Sequence, residues 1–381
     1  MAYKNLNLFQ FRNIKNTEIK LEEGVNIFYG ENGQGKTNLL EALFFLSRGR
    51  SFRTTEPSRC ISMFKEESFS ESNVALIKSN YKDSLNVDNS LKVQIENNKK
   101  TFWINEKRTV STKLSTFCPT VLFSPESLAS IKEGPQERRN LIDDIIEQLP
   151  EYSKAVSQFR KILKTRNKVL GDVKREFKKE SEVRDLLNSI TDIFIKSALD
   201  LIELRIYFLD LLKPYAQTAV RYIFNSEDSF DFNYIISDVE IHEFEAEKIE
   251  DLLRKRAQEL YISELSSGYS LIGPQKHDIQ FIFNGKDSRY YCSQGQQRAL
   301  IVALKIAEIF YRLERREESP VLLLDDVMSE LDERKRDRLV DFLKDVKSQI
   351  IITTTEKSSS LEKIMGPHKQ FYIEEGRISL L

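Results

Sequence analysis

The stretch GENGQGKT, residues 30–37, decides the fold class of this chain, because it fits the pattern G-x-x-x-x-G-K-[ST]. The run Gly24–Tyr29 reads as a strand that leads into this stretch, and residues 36–48 carry leucines and phenylalanine at helical spacing. Glycines let backbone N–H groups approach a phosphate closely, and a following helix points its positive end at the same place. The order strand, glycine-rich loop, helix therefore predicts a loop that binds the triphosphate of ATP.

Two side chains of this loop have predicted chemical roles. Lys36 can reach the β- and γ-phosphates, and the Thr37 hydroxyl can bind Mg²⁺. A glycine-rich turn that merely precedes a helix is the plain structural alternative, and the flanking strand and helix favour phosphate binding. The residues predicted to contact ATP in this segment are Gly30, Glu31, Asn32, Gly33, Gln34, Gly35, Lys36, Thr37 and Asn38.

A pair of acidic residues follows an apolar run in VLLLDD, residues 321–326. A buried central strand would place Asp325 at its carboxyl end, beside the phosphate-binding loop. Asp325 can hold Mg²⁺ directly or through water, and Asp326 can polarise the attacking water. Strands often end in aspartate at a turn, so this assignment depends on the upstream loop. The predicted catalytic residues are Lys36, Asp325 and Asp326, and the predicted magnesium ligands are Thr37 and Asp325.

A third segment, YCSQGQQR at residues 291–298, precedes a predicted helix and resembles the signature motif of ABC ATPases. In that motif a serine and a glycine at a helix N-terminus bind the γ-phosphate held by the loop of the opposite subunit. The predicted contacts are Ser293, Gly295 and Gln296. An ordinary capped helix start fits the same letters, and the acidic strand downstream favours the signature. Residues 329–332 resemble the ABC D-loop, and a capping box at the next helix fits them equally.

Composition limits the classes of protein that remain. The chain has 381 residues with 58 basic and 59 acidic side chains, so any polyanion must bind a local patch. The three cysteines form no CxxC pair and the three histidines do not cluster, which disfavours disulfides and a zinc site. The first residues lack the apolar region of a secretory signal. Uninterrupted apolar stretches are too short to span a membrane, so we expect a cytoplasmic protein.

Along the chain, α/β character at both ends flanks a segment rich in Lys, Glu, Leu and Ile at helical spacing. We predict a head from residues 1–135 and 266–381, and a helical arm at 136–265 that loops out of it, because each end carries half of a nucleotide site. The arm is expected to break near Gly171 and Pro214 and has room for a hairpin at 230–237. Other predicted strands cover 3–10, an antiparallel layer within 71–105, 117–123, 321–324, 350–353 and two short strands in 370–381; other predicted helices cover 300–313 and 333–346.

Several blocks resemble the RecF family, in that family's order and over both ends of the chain. The resemblance implies an α/β fold: an ABC-type P-loop ATPase head, a mixed sheet with an antiparallel β layer and an inserted helical arm. The implied head is of the kind found in structural-maintenance-of-chromosomes proteins, with a short arm in place of their long coiled coil. The blocks are LFQFRN at 8–13, residues 30–42, LSRGRSFRT at 46–54, LFSPE at 122–126 with Arg138-Arg139, residues 293–298 and residues 323–332.

The resemblance also implies a function. Members bind ATP and Mg²⁺, form ATP-dependent homodimers, bind DNA at single-strand gaps and duplex junctions, and act with RecR and RecO to load RecA in recombinational repair. A weak, DNA-stimulated ATPase is implied. Most ABC ATPases carry glutamate at the position of Asp326, and because aspartate is shorter by one methylene we expect slow hydrolysis. The alternatives are an SMC-like ATPase that drives a DNA-end-processing enzyme and a P-loop kinase, which the signature segment disfavours.

The chain departs from the family pattern at three places. GPQKHD at residues 273–278 stands where the family has GPHRDD, which leaves the roles of its third to fifth positions open. The region of the Q-loop glutamine is occupied by Ser124-Pro125-Glu126. Residues 351–356 fall where many ABC proteins carry a switch histidine, and a threonine would have to sense the γ-phosphate there.

Two basic groups are candidates for DNA contact through the phosphate backbone. One group is Arg48, Arg50 and Arg53, which could touch DNA, couple DNA to ATP, or pair with acids. The other group lies in residues 160–179, where a phosphate-binding stripe and an ordinary solvated helix face fit equally. Its nine basic residues are Arg160, Lys161, Lys164, Arg166, Lys168, Lys174, Arg175, Lys178 and Lys179, opposed by Asp172 and Glu176.

Overall fold

The computed structural model of the chain describes residues 1–62, 73–128, 131–147, 149–355 and 368–381, and it divides into two compact units. Unit 1 comprises residues 1–129, 218–228 and 293–381, and unit 2 comprises residues 130–217 and 229–292. In the ranges that the structure describes, no helix is long and apolar enough to cross a membrane. The predicted division at 135/136 and 265/266 into head and arm stays a prediction.

The strands are β1 (Ala2–Tyr3), β2 (Asn5–Phe11), β3 (Ile14–Lys20), β4 (Val25–Tyr29), β5 (Val74–Lys82), β6 (Asp88–Glu96), β7 (Lys99–Ile104), β8 (Lys107–Thr109), β9 (Thr120–Phe123), β10 (Phe230–Ile236), β11 (Val239–Ile241), β12 (Asp278–Phe283), β13 (Lys286–Asp287), β14 (Val321–Asp325), β15 (Ile350–Thr354), β16 (His368–Glu374) and β17 (Arg377–Leu380). The helices are α1 (Lys36–Arg48), α2 (Ser111–Phe117), α3 (Pro125–Leu128), α4 (Pro135–Ile146), α5 (Pro150–Lys174), α6 (Glu180–Ile223), α7 (Ala246–Glu259), α8 (Tyr261–Ser267), α9 (Ser288–Tyr291), α10 (Gln294–Arg315) and α11 (Glu333–Asp345). Short 3₁₀ turns cover Pro57–Cys60 and Val327–Glu330.

Unit 1 contains a six-stranded sheet in the order β17-β16-β4-β15-β14-β9. Its inner strands pair in parallel, and β4, β14, β15 and β9 are buried along their whole length, as expected for strands covered on both faces. Parallel pairing brings the carboxyl ends of β4, β14 and β15 to one edge of the sheet. The loop after β4 and the aspartates after β14 therefore share that edge.

A second, antiparallel sheet of unit 1 has the order β3-β2-β5-β6-β7-β8, with β1 paired to β5. Alternating burial along β5 and β6 gives it one buried face. Helix α1 packs against strands of both sheets, and its leucines and phenylalanines are part of one apolar core with them. The expected antiparallel layer and the two C-terminal strands are present, whereas β3 was not predicted.

Unit 2 combines helices α4, α5, α7, α8 and most of α6 with a four-stranded sheet in the order β11-β10-β12-β13. The expected break at Gly171 comes three residues later, where α5 ends at Lys174. The break expected at Pro214 is wrong, because α6 continues through this proline. Buried apolar residues on both sides, including Leu212 and Ala216, hold the helix, and their packing outweighs the roughly 3 kcal/mol cost of an internal proline.

Candidate nucleotide-binding site

The predicted phosphate loop lies between the buried strand β4 and helix α1. Lys36 begins α1, and its ammonium donates hydrogen bonds to the carbonyl oxygens of Gly30 at 2.6 Å and Glu31 at 2.8 Å. These bonds hold the ammonium over the loop. Burial lowers the pKa of Lys36, while the nearby carboxylates of Asp326 and Asp325 act in the opposite direction.

Two glycines of the loop have backbone conformations that favour glycine. Gly33 has φ 82° and Gly35 has φ 116°, both in the region that other residues rarely adopt. A Cβ on Gly35 would lie 2.7 Å from Oδ1 of Asn13, so a side chain there would displace that asparagine. The glycine pattern read from the sequence therefore has a steric cause.

The loop is braced by residues that sequence reasoning did not assign to the site. Asn13, between β2 and β3, donates from Nδ2 to the Gln34 carbonyl at 2.9 Å and accepts from Asn38 Nδ2 at 2.8 Å. The turn between β16 and β17 donates the N–H of Glu375 to Gln34 Oε1 at 2.7 Å and the N–H of Gly376 to the Gln34 carbonyl at 2.9 Å. The sequence held one sign that Asn13 matters, because Asn13 lies in a block, residues 8–13, that resembles the RecF family. The turn at Glu375-Gly376 carried no such sign.

The two predicted magnesium ligands lie together. Thr37 Oγ1 donates to Asp325 Oδ1 at 3.0 Å, although the two residues are 288 positions apart. Thr353 Oγ1, from the neighbouring strand β15, donates to the same oxygen at 2.7 Å. Asp325 is only 4% exposed. A hydroxyl and a carboxylate are oxygen ligands of the kind that Mg²⁺ prefers, so this pair fits the predicted metal.

Asp326 follows at the end of β14 with φ 48°, a left-handed conformation that short polar residues tolerate. Its N–H donates to the Thr353 carbonyl at 3.2 Å, and its carbonyl accepts from Ser329 Oγ at 2.8 Å. The side chain is half-buried. The turn therefore fixes the backbone of Asp326 at the same sheet edge as the phosphate loop.

The predicted signature residues form the start of helix α10. Ser293 is the N-cap: its hydroxyl accepts from the Gln296 N–H at 3.3 Å, and its own N–H donates to Gln296 Oε1 at 2.8 Å. The two bonds form a capping box, so the ordinary capped helix start that fits the same letters is also present. Ser293 and Gly295 are exposed. Within the described ranges, no hydrogen bond joins Ser293, Gly295 or Gln296 to residues 30–38, so contact with a second subunit stays a prediction.

The D-loop-like residues 329–332 do not form the expected capping box. Helix α11 starts at Glu333, and its N-cap is Asp332, which accepts from the Lys335 N–H at 3.1 Å. Ser329 cannot be that cap because its hydroxyl donates to the Asp326 carbonyl. Arg298 of α10 forms a 2.6 Å ion pair with Glu330. Helix α10 and the turn that follows Asp325 and Asp326 are therefore directly linked.

Arg48 is buried in this structure and offers no surface for a direct contact with DNA. It is 6% exposed, donates to the Thr120 carbonyl at 3.0 Å and lies 4.0 Å from Glu308, so the internal pairing that the sequence left open applies to it. Arg53 is more exposed and donates to Asn38 Oδ1 at 2.9 Å. It also lies 3.9 Å from the buried Glu41, which Arg12 contacts through two hydrogen bonds. Arg53 thus links to helix α1 just beyond the phosphate loop.

One of the nine basic residues at 160–179, in unit 2, is buried. Arg166 is 2% exposed and forms a two-bond ion pair with Glu264 at 2.6 and 2.9 Å. The other eight basic residues are exposed. At about 100° per residue, the four on the helix from 160 to 168 lie within an arc of roughly 100°, opposite the buried Phe159 and Leu170. None of these eight makes an ion pair within the part of the chain that is described: Arg160, Lys161, Lys164, Lys168, Lys174, Arg175, Lys178 and Lys179.

The segment 273–278 has an internal role in unit 2. Arg138 donates two bonds to Asp278, at 2.9 and 2.8 Å, and Arg205 donates to the Pro274 carbonyl at 2.9 Å. His277 is buried, and its Nδ1 lies 2.9 Å from the Tyr234 hydroxyl. In the Q-loop region α3 begins at Pro125, and the Glu126 side chain lies outside the described set; Glu356 likewise lies outside the described residues.

Comparison with known proteins places this geometry in context. Residues 2–374 match the family model described as RecF/RecN/SMC N terminal domain. The chain is 34% identical over 373 residues to a DNA replication and repair protein RecF of Lactobacillus delbrueckii subsp. bulgaricus, covering 97% of this chain and 94% of that protein. It is 35% identical to the RecF protein of Ruminiclostridium cellulolyticum, covering 95% of each.

Solved structures agree with these sequence matches. A structure of the recombination mediator protein RecF with ATP, from the RecFOR pathway, superposes with a TM-score of 0.86 at 31% identity, covering 100% of this chain and 97% of that one. The Smc head domain of Pyrococcus furiosus superposes with a TM-score of 0.56 at 16% identity, which supports the fold alone. The expected ABC-type ATPase head is thereby confirmed.

Proposed function

The chain belongs to the RecF family of DNA replication and repair proteins, and from that membership we propose that it is an ATP-dependent DNA-binding protein of recombinational repair. The observation that carries the proposal is the 3.0 Å contact between Thr37 and Asp325. It joins the phosphate loop to the acidic strand end. A nucleotide site accounts for a buried carboxylate that meets a half-buried hydroxyl beside a loop of this kind.

In this proposal the loop 30–37 cradles the triphosphate through its backbone N–H groups and the N-terminus of α1. Lys36 supplies a positive charge that the loop carbonyls already orient. Thr37 and Asp325 would hold Mg²⁺, which neutralises phosphate charge when bound. Asp326 would accept the proton of the attacking water. Its short side chain supports slow turnover, and a rate above tens per second would contradict it.

ATP-dependent dimerisation is the second part of the proposal. Ser293 and Gly295 are exposed at the N-terminus of the 22-residue helix α10. An exposed N-terminus of a long helix suits an anionic ligand, here the γ-phosphate held by a second copy. The ion pair between Arg298 and Glu330 would carry the state of the signature helix to the aspartates of the same copy.

DNA binding is the third part. The eight exposed cations on α5 and the following turn, none of which forms an ion pair with another described residue, offer a local positive surface on a chain whose net charge is −1. Such a surface suits the phosphate backbone. We propose single-strand gaps and duplex junctions as the DNA targets, weak DNA-stimulated ATPase activity, and cytoplasmic loading of RecA with RecR and RecO. Family membership supports these finer points. The predicted head, 1–135 with 266–381, would bind ATP and the arm, 136–265, would bind DNA.

Sedimentation on gapped, duplex and single-stranded DNA, with and without ATP and Mg²⁺, tests the proposal. The wild-type chain should dimerise with ATP and associate with gapped DNA. Lys36→Ala should lose ATP binding and dimerisation. Ser293→Arg should bind ATP as tightly as wild type yet stay monomeric, because the substitution changes an exposed cap far in sequence from the loop.

Each of these measurements can contradict one part of the proposal. A Ser293→Arg chain that still dimerises with ATP would remove the shared nucleotide site. Wild-type association with DNA that ignores ATP would remove the gating by nucleotide. Rapid turnover with degradation of DNA ends when a nuclease partner is added would favour the alternative, an SMC-like ATPase that drives end processing.

A further inference from the structure

The turn that follows helix α5 has a defined conformation. The Glu176 N–H donates to the Val173 carbonyl at 2.9 Å, and the Phe177 N–H donates to the Asp172 carbonyl at 2.9 Å. This pair of bonds is the Schellman motif that closes many helices. Glu176 occupies its left-handed position with φ 60°, where glycine is usual. The backbone that carries Phe177 is therefore held by hydrogen bonds.

Phe177 departs from the usual chemistry of this motif. The residue at its place ordinarily packs an apolar side chain onto the last turn of the helix. Here the phenylalanine is 72% exposed. Leaving most of an aromatic side chain in water forgoes the stabilisation that its burial would give. A ring presented in this way is available to a ligand.

The neighbours of the ring along the chain are cationic, apart from the exposed Glu176. Lys174, Arg175, Lys178 and Lys179 are all exposed, and Arg175, Lys178 and Lys179 form no ion pair within the described ranges. The Lys174 ammonium donates to the Ser267 carbonyl at 3.0 Å and pairs with no carboxylate of the described residues. Several other arginines of unit 2 are neutralised by carboxylates, as Arg254 is by Asp192 and Glu250. The charge around Phe177 is thus complementary to a polyanion.

We propose that residues 174–179 form a stacking site for an unpaired base of DNA. The Phe177 ring would stack on the base, and Arg175, Lys178 and Lys179 would contact the adjacent phosphates. Aromatic rings among cations are the usual elements of single-strand binding, because every base has a face that can stack. The inference rests on the proposed DNA-binding function and assigns its single-strand component to this turn.

The test compares Phe177→Ala and Phe177→Trp with wild type on labelled oligothymidine and on a blunt duplex of equal length, by fluorescence anisotropy at one salt concentration. Phe177→Ala should weaken oligothymidine binding about 10-fold and duplex binding less than twofold. Phe177→Trp should bind as wild type, and its added emission should be quenched by oligothymidine and not by duplex. Leu85→Ala and Leu85→Trp, at an 80% exposed apolar position in unit 1, are the matched controls.

The outcomes separate the two proposals. If wild type binds no DNA of any kind, the DNA-binding function fails. If wild type binds DNA and Phe177→Ala binds oligothymidine equally well, or loses duplex binding to the same extent, the stacking site alone is refuted. Unchanged DNA binding with lost association to phosphatidylglycerol vesicles would assign the turn to a membrane surface instead. Equal thermal unfolding of the variants keeps each reading independent of folding.

Discussion

A single carboxylate oxygen, Asp325 Oδ1, receives hydrogen bonds from two hydroxyls, those of Thr37 and Thr353. A buried carboxylate is stable only when such partners replace the water it has lost. The two threonines differ in role. Thr37 belongs to the phosphate loop, whereas Thr353 comes from β15, in the region where we expected a threonine to sense the γ-phosphate. The Thr353 hydroxyl donates to Asp325 Oδ1, and the sensing of γ-phosphate by a threonine of this region stays a prediction.

We predict that Thr353→Val lowers the rate of ATP hydrolysis roughly tenfold, because a hydrogen bond to a charged group is worth about 1.5–3 kcal/mol. Steady-state phosphate release measures the rate. Thr353→Ser keeps the hydroxyl and should retain most of the activity. Valine and serine variants of equal activity would show that the hydroxyl does not position Asp325.

His277 is a second residue whose environment has a measurable consequence. Burial, followed by the charges of Arg205 and Arg139, lowers the pKa of His277 well below 6.5. Well above pH 6.5 the imidazole is neutral in both the folded and the unfolded chain and contributes no pH dependence. Below pH 6.5 the unfolded chain takes up a proton that the folded chain does not. The free energy of unfolding must therefore fall as the pH decreases.

We predict that this fall amounts to about 1.4 kcal/mol per pH unit below 6.5, until the folded-state pKa is reached. Urea unfolding at pH 7.5, 6.5 and 5.5 measures it. His277→Gln should flatten the dependence in this range, while His242→Gln, at a 76% exposed side chain, should leave it as in wild type. Parallel pH profiles for wild type and His277→Gln would contradict the assignment.

At the scale of elements, the phosphate loop depends on supports from distant strands. Helix α1 is fixed by its apolar contacts with both sheets of unit 1. The loop before it is fixed by polar contacts from Asn13 and from the turn at Glu375-Gly376. A glycine-rich loop is intrinsically flexible, so these bonds define its conformation before nucleotide binds.

We predict that Asn13→Ala weakens ATP binding by up to about 30-fold, because the substitution removes both the donor to Gln34 and the acceptor for Asn38, and each such bond contributes about 1 kcal/mol. Isothermal titration calorimetry gives the affinity. Asn16→Ala, at an exposed position on β3, is the matched control. The same affinity for the Asn13 and Asn16 variants would remove Asn13 from the site.

For the whole molecule, the distribution of charge matters more than its sum. The net charge of −1 gives no sign of the row of exposed basic residues on α5, which form no ion pair with other described residues. Arg166 lies among these residues in the sequence but does not belong to the exposed row, because its side chain is buried and pairs with Glu264. The exposed row remains continuous on one face of the helix, which a phosphate backbone can follow.

We predict that Lys161→Glu/Lys164→Glu/Lys168→Glu weakens DNA binding and reduces the slope of log affinity against log salt by roughly 3, because each phosphate contact contributes about 0.9 to that slope. Anisotropy titrations from low to moderate salt measure both quantities. Lys99→Glu/Lys107→Glu/Arg108→Glu changes the same number of exposed charges on β7 and β8 of unit 1. Equal losses in the two triple variants would refute a specific DNA surface on α5.

The sequence by itself determined the phosphate loop, the acidic strand end, the capped start of α10 and the family. Each of these features depends on a short run of consecutive residues, whose spacing and conformational propensities can be read from the sequence. The helix through Pro214 was the exception, because packing along α6 overrides the local preference of proline.

Only the tertiary structure decided which of these residues meet and which charges are buried. The contact of Thr37 with Asp325, the brace by Asn13, the support from Thr353 and the burial of Arg48 and Arg166 all depend on segments far apart in the chain. Whether a charged side chain faces water or a buried partner depends on what remote elements place beside it. Local spacing carries no information about that neighbour.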